Sequence, residues 1–171
     1  MRRLILLRHA KSSWADPDQH DAARPLNDRG RRVAVLIGAY LADEGLVPDL
    51  ALLSTARRVI ETWDLAERGM DQRTARASAP IYMAPPEDLL TILRGAPDDA
   101  ATVLMLGHEP SIAEFAHRLT GPDIAEGAAR AFERFPTGAL AELQWDDLPS
   151  WSAVGFGAAR LARFVPPKVL V

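Results

Sequence analysis

Three short apolar runs constrain this chain more than any other feature: Leu4-Ile5-Leu6-Leu7, Leu50-Ala51-Leu52-Leu53 and Thr102-Val103-Leu104-Met105-Leu106. A continuous apolar run bounded by polar residues reads as a strand covered on both faces, as in a parallel sheet. Helical patterns separate the runs. Asn27 is placed to cap a helix in which Val33, Leu36, Ile37, Tyr40 and Leu41 recur at helical spacing, ending near Glu44 with Gly45 as its stop. Ser54 or Thr55 is expected to cap a second helix, beginning Ala56-Arg57-Arg58. Residues 68–80 are polar and weakly patterned, with a short strand expected around Pro80–Met83. Pro85-Pro86 precedes a helix over Glu87–Arg94, and Pro110 opens another that ends near Thr120-Gly121. Residues 121–136 read as an irregular excursion. Ala139–Trp145 is expected as an alternating strand and Gly157–Val165 as another, with a tail from Pro166. Strands alternating with helices, then two strands in succession, predict a three-layer α/β/α arrangement: a mostly parallel central sheet with an antiparallel edge.

No repeat, low-complexity segment or compositional break divides the 171 residues, so one domain over 1–171 is expected. The net charge of −3 argues against a general nucleic-acid or anionic-membrane binder, and any positive patch must be local. There is no cysteine, which removes disulfides, thiolate nucleophiles and Cys-ligated metals. Met1-Arg2-Arg3 mimics the start of a signal peptide, but the apolar run behind it is too short for a signal core or a membrane span. A cytoplasmic location without membrane contact is the simplest expectation.

Ligands of open α/β sheets bind beyond the carboxyl ends of the strands. The first run leads directly into Arg8-His9, with Lys11 two positions on, and the third leads into Gly107-His108-Glu109-Pro110. After the second run, Arg57 and Arg58 stand in the first turn of a helix, where the macrodipole disfavours a cation unless an anion is bound. Arginine holds phosphate through parallel hydrogen bonds, and a neutral imidazole can attack phosphorus. Each of these positions taken singly has a structural explanation; three at equivalent ends of one sheet point to a phosphate site.

In that order, Leu7-Arg8-His9-Ala10-Lys11-Ser12, Arg24-Pro25-Leu26-Asn27-Asp28-Arg29-Gly30, Ser54-Thr55-Ala56-Arg57-Arg58 with Thr62, Gly107-His108-Glu109-Pro110 and Phe135-Pro136-Thr137 resemble the histidine phosphatase superfamily. This is the phosphoglycerate mutase-like fold, and the likeness is to its short SixA-type phosphohistidine phosphatases. The resemblance implies His9 as a nucleophile that carries the phosphoryl group, with its other ring nitrogen on a backbone carbonyl. It implies Arg8 and Arg58 as holders of the phosphoryl oxygens, and His108 as a further donor in its imidazolium form. Arg24 is implied in substrate or phosphate binding, and Lys11 is a plausible cation beside them. No cofactor and no metal are implied. The implied partner is a phosphorylated protein, such as a histidine phosphotransfer domain, or a small phosphorylated molecule.

The chain departs from the pattern at one position. Relatives that hydrolyse phosphoesters often carry a glutamate after the tyrosine of the middle strand, whereas Tyr82 is followed here by Met83. Glu87, Asp88 or Glu109 are the candidate substitutes as proton donor. An alkoxide needs such a donor, usually worth on the order of a hundredfold or more, while a protonated imidazole leaves phosphorus without one. A phosphoramidate is therefore favoured over an ester. The rival readings are a small-phosphoester phosphatase using one of those carboxylates, and a non-catalytic domain that binds a phosphorylated protein. A metal-dependent hydrolase is weaker, because no carboxylate accompanies the histidines at ligand spacing.

Overall fold

The computed structural model describes all residues of the chain except 72, 73, 123 and 125. Its centre is one six-stranded sheet made of β1 (Arg2–Arg8), β2 (Leu50–Leu53), β3 (Ala75–Ser78), β4 (Thr102–Gly107), β5 (Leu140–Trp145) and β6 (Arg160–Val165). The spatial order is β3-β2-β4-β1-β5-β6. Strands β3, β2, β4 and β1 pair in parallel, and β5 runs antiparallel to both β1 and β6.

The apolar runs are continuous because the sheet has two covered faces. Along β1, Leu4 and Leu6 pack with Leu89 and Leu93 of α3 (Pro86–Arg94) and Ile112 and Phe115 of α4 (Ser111–Thr120). Ile5 and Leu7 pack on the opposite face, against Val33 and Ile37 of α1 (Asp28–Asp43) and Val59 and Trp63 of α2 (Arg57–Glu67). The residues of β4 divide in the same way, Val103 and Met105 to one face, Leu104 and Leu106 to the other. Full burial of each such side chain contributes roughly 1.5–3 kcal/mol, which is why a few residues suffice to hold these strands. Among the described residues no helix is long and apolar enough to cross a membrane.

Several local expectations are corrected. The third strand lies over Ala75–Ser78, not Pro80–Met83. It is an edge strand with mostly exposed side chains that, among the described residues, pairs with β2 alone, so backbone hydrogen bonds hold it and its composition gives little burial signal. Neither Ser54 nor Thr55 caps α2; Ala56 stands at that position without a side-chain cap. The excursion over 121–136 contains a helix, α5 (Glu126–Glu133), while 123 and 125 fall outside the described residues. Its Phe132 is buried, with ring centroids 6.4 Å from Phe135 and 6.2 Å from Phe164. Strand β5 is buried on both faces instead of alternating, and even Glu142 is enclosed, forming ion pairs with Arg3 at 2.8 Å and Arg163 at 2.7 Å. The expected tail includes a 3-10 turn, Pro167–Val169.

Candidate active site

Sheet register brings the two histidines together. Arg8 of β1 is opposite Gly107 of β4, so His9 and His108 leave the sheet side by side, with ring centroids 5.3 Å apart. Ser54 directly follows the neighbouring β2, and the next helix delivers Arg58 to the same edge. All three strands are parallel, which places their carboxyl ends on one side of the sheet.

His9 is 5% exposed, and its tautomer follows from its partners. Nδ1 lies 2.7 Å from the carbonyl oxygen of Ala10, which can only accept, so Nδ1 carries the proton. Nε2 accepts from Arg58 Nε at 3.2 Å and therefore presents its lone pair. Burial, reinforced by the charges of Arg58 and Arg8, lowers the His9 pKa to about 3, so the ring is neutral at ordinary pH. The backbone beside it is held by Thr62, whose hydroxyl accepts from the amide of Ala10 at 3.1 Å and donates to the carbonyl of Arg58 at 2.6 Å.

His108 differs from the expected imidazolium. Burial comes first, then the Arg58 charge, and together they lower its pKa to about 4. Its Nδ1 accepts from Arg58 Nη2 at 3.2 Å, so Nε2 bears the proton and donates to Ser54 Oγ at 2.8 Å. A dianion beside the ring would reverse this balance by attracting a proton to Nδ1.

The other cations surround the histidines. Arg8 donates from Nη1 to the Phe135 carbonyl at 2.8 Å, and its buried Nε has no acceptor among the described residues. Arg24, 6% exposed, donates from Nη1 to Ser12 Oγ at 2.5 Å, and its guanidinium lies 3.6 Å from the centre of the Trp14 ring. Lys11 extends to the rim with an exposed side chain. These residues, with Thr137 and Glu109, line a cavity of about 260 Å³ around His9. An adjoining groove of about 480 Å³ runs past Asp21, Tyr82, Met83 and His108.

The three candidate proton donors separate clearly. Glu87 and Asp88 are exposed in the first turn of α3, and neither lines the cavity around His9. Glu87 pairs with Arg118 of α4, which lowers its pKa and suits it poorly as an acid. Glu109 lines both the cavity and the groove, and burial raises its pKa. Met83 faces that groove 79% exposed, on a backbone with φ of 56°. Among the described residues no three of His, Cys, Asp and Glu converge closely enough to hold a metal ion.

Two residues that sequence reasoning missed complete the arrangement. Asp21, in the 3-10 turn Asp21–Ala23, accepts from Arg24 Nε and Arg58 Nη2, each at 3.1 Å. The hydroxyl of Tyr82 donates to the same carboxylate at 2.5 Å. The one sequence signal was the acid-base spacing from Asp21 to Arg24 in a loop leaving β1.

A family model described as histidine phosphatase superfamily (branch 1) matches residues 4–78. The uncharacterized protein Rv1276c of Mycobacterium tuberculosis is 36% identical over 166 residues, covering 95% of this chain and 100% of the relative. The solved structure of SixA from Agrobacterium tumefaciens superposes with a TM-score of 0.80 at 30% identity, covering 97% of this chain and 99% of the other. That of SixA from Nakamurella multipartitia superposes with a TM-score of 0.83 at 27% identity, covering 97% and 96%.

Proposed function

Because this chain belongs to the histidine phosphatase superfamily, we propose that it is a phosphatase that removes phosphate from phosphohistidine through a covalent intermediate on His9. The observation that carries the reading is the state of His9: Nδ1–H anchored on the Ala10 carbonyl, and an unprotonated Nε2 that accepts from Arg58 Nε in a cationic cavity. The substrate reacts with its second ring nitrogen protonated from water: His9 Nε2 attacks phosphorus, the bond from phosphorus to the substrate imidazole breaks, and that ring leaves neutral. Arg8, Arg58 and His108, together with Arg24 and Lys11, supply donors and positive charge where the transferring oxygens gather charge. Water then attacks the phosphorylated His9. The ring leaves as the neutral Nδ1–H tautomer that the Ala10 carbonyl already favours, and inorganic phosphate is released. Neither step calls for a proton from a protein carboxylate or for a metal ion.

One observation favours a second reading. Glu109 is a partly buried carboxyl with a raised pKa at the edge of the cavity, as a general acid for an ester leaving group would be. A side-by-side rate comparison in the presence of a chelator separates the two. One substrate is a phosphohistidine-bearing phosphotransfer domain, the others are a panel of small phosphoesters, and His9→Ala is the control. The expected outcome is release from phosphohistidine on the order of a hundredfold faster than from esters. His9→Ala should abolish turnover. Ester rates that match phosphohistidine, and that fall at least about tenfold more than it in Glu109→Gln, would establish the ester reading instead. Activity lost to the chelator and restored by a divalent ion would overturn the metal-free mechanism.

A further inference from the structure

Arg58 is 5% exposed, and its guanidinium is shared between two kinds of acceptor. Its Nε and Nη2 form one edge, which meets His9 Nε2 and His108 Nδ1, both at 3.2 Å. Its Nη1 and Nη2 form the other edge, which meets Asp21 twice: the main-chain oxygen at 2.8 Å and Oδ2 at 3.1 Å. A guanidinium binds an oxyanion bidentately through one such edge at a time. We infer that Asp21 is a positioning residue: it occupies the outer edge of Arg58, so the inner edge stays turned toward the space between His9 and His108 where a phosphoryl group is held.

Asp21 is itself fixed from two sides. Arg24 Nε donates to Oδ1 at 3.1 Å, and the hydroxyl of Tyr82 donates to Oδ2 at 2.5 Å. One carboxylate thus joins the loop after β1, the first turn of α2 and the loop after β3, three segments that leave the same edge of the sheet. It also sets a negative charge between Arg24 and Arg58, which relieves the repulsion of holding two buried guanidinium groups in one cavity. The Asp21 pKa is lowered to about 2, first by the Tyr82 hydroxyl and further by Arg24 and Arg58, so the group stays ionised and cannot act as the proton donor. Its carboxylate is 45% exposed, and loss of it removes little apolar packing.

This inference rests on the reading that Arg58 holds a transferring phosphoryl group, and its test is arranged so that the two can fail separately. Asp21→Ala, Asp21→Asn, Arg58→Ala and the Asp21→Ala/Arg58→Ala double variant are compared on free phosphohistidine, and tungstate binding is followed by calorimetry. Asp21→Ala is expected to lower kcat by about 10- to 100-fold, the value of a lost charge-assisted contact, and to weaken tungstate binding. Its unfolding midpoint should stay close to that of the parent. In the Arg58→Ala background the same change should produce no further loss of kcat, because Asp21 acts through Arg58. Losses that multiply in the double variant, or an unchanged kcat in Asp21→Ala, would overturn the inference while leaving the phosphatase reading intact. If Asp21→Ala does not fold, the same comparison with Asp21→Asn decides. A parent protein that neither binds tungstate nor turns over phosphohistidine would overturn the phosphatase reading itself.

Discussion

His9 and His108 sit in a buried cleft beside Arg8 and Arg58, and they protonate near 3 and near 4 where ordinary histidines do so near 6.5. The sign of the resulting pH dependence follows from which state binds protons. As pH falls through about 6.5, the unfolded chain protonates both rings and the folded chain does not. Both contributions are therefore fully present above the unfolded pKa and are lost as pH falls toward the folded values. The loss should reach the order of a few kcal/mol near pH 4. Urea denaturation between about pH 7 and pH 4.5 should show unfolding midpoints that decline with acid, and a shallower decline in His108→Gln. Equal slopes in the two proteins would show that His108 is not held neutral. Asp21 adds little slope in this window: its stabilisation is present throughout and is lost only as pH falls below the unfolded value near 4 toward about 2.

At the level of elements, the loop after β1 is held to the start of α1 by close backbone contact. The amide of Asn27 donates to the Lys11 carbonyl at 3.0 Å, and Ser12 bridges to Leu26. Gly30, in the first turn of α1, permits this approach, since a Cβ there would lie 2.1 Å from the Lys11 carbonyl oxygen. Gly30→Ala must displace the segment that carries Lys11 and Ser12. It should destabilise the fold by about 1–3 kcal/mol and lower turnover as well, as read by urea denaturation and steady-state rates. Gly127→Ala supplies the contrast. That glycine lies in α5 with open space around it, so alanine there should be neutral or stabilising by up to about 1 kcal/mol. Two equally destabilised proteins would refute the contact as the cause.

Over the whole molecule the net charge is −3, yet Arg8, Arg24, Arg58 and Lys11 line one cavity in which Glu109 is the only carboxylate among the lining residues. The positive field is therefore local and short in range, and it draws in an anionic substrate against a weakly acidic background. Raising salt from about 0.05 M to 0.5 M shortens the screening length to a few ångströms and should raise KM for a phosphorylated substrate several-fold. The kcat should change little, because contacts to a bound phosphoryl group inside the cavity are poorly screened. Salt effects confined to kcat would argue against electrostatic capture. Around the cavity and groove stand Trp14 and Met83, 75% and 79% exposed, so apolar side chains flank a polar interior.

The residues that identified the sheet, and those that identified its reactive edge, were legible for one physical reason: both signals are local. A strand covered on two faces must be apolar at successive positions, and a strand that ends at a site must pass directly into polar groups. Leu4–Leu7 with Arg8-His9, and Val103–Leu106 with His108, show both signals within a few residues. Asn27 was legible as a cap for the same reason, and its side chain accepts from Gly30 N at 2.8 Å. The edge strand Ala75–Ser78 was not, since it buries little and is held by backbone bonds to β2. Nor could sequence choose among Glu87, Asp88 and Glu109, which have the same chemistry until burial and neighbours separate them. Ser54 illustrates the same limit: its hydroxyl serves the His108 ring and the amide of Ala56 where a helix cap was expected. Asp21 and Tyr82 lie 61 residues apart along the chain and acquire their shared role only because the sheet brings their loops to one edge. Sequence alone thus determined the layers and the groups at the strand ends. Tertiary structure decided the partners, charge states and directions of those groups, because these depend on contacts between segments that are distant along the chain.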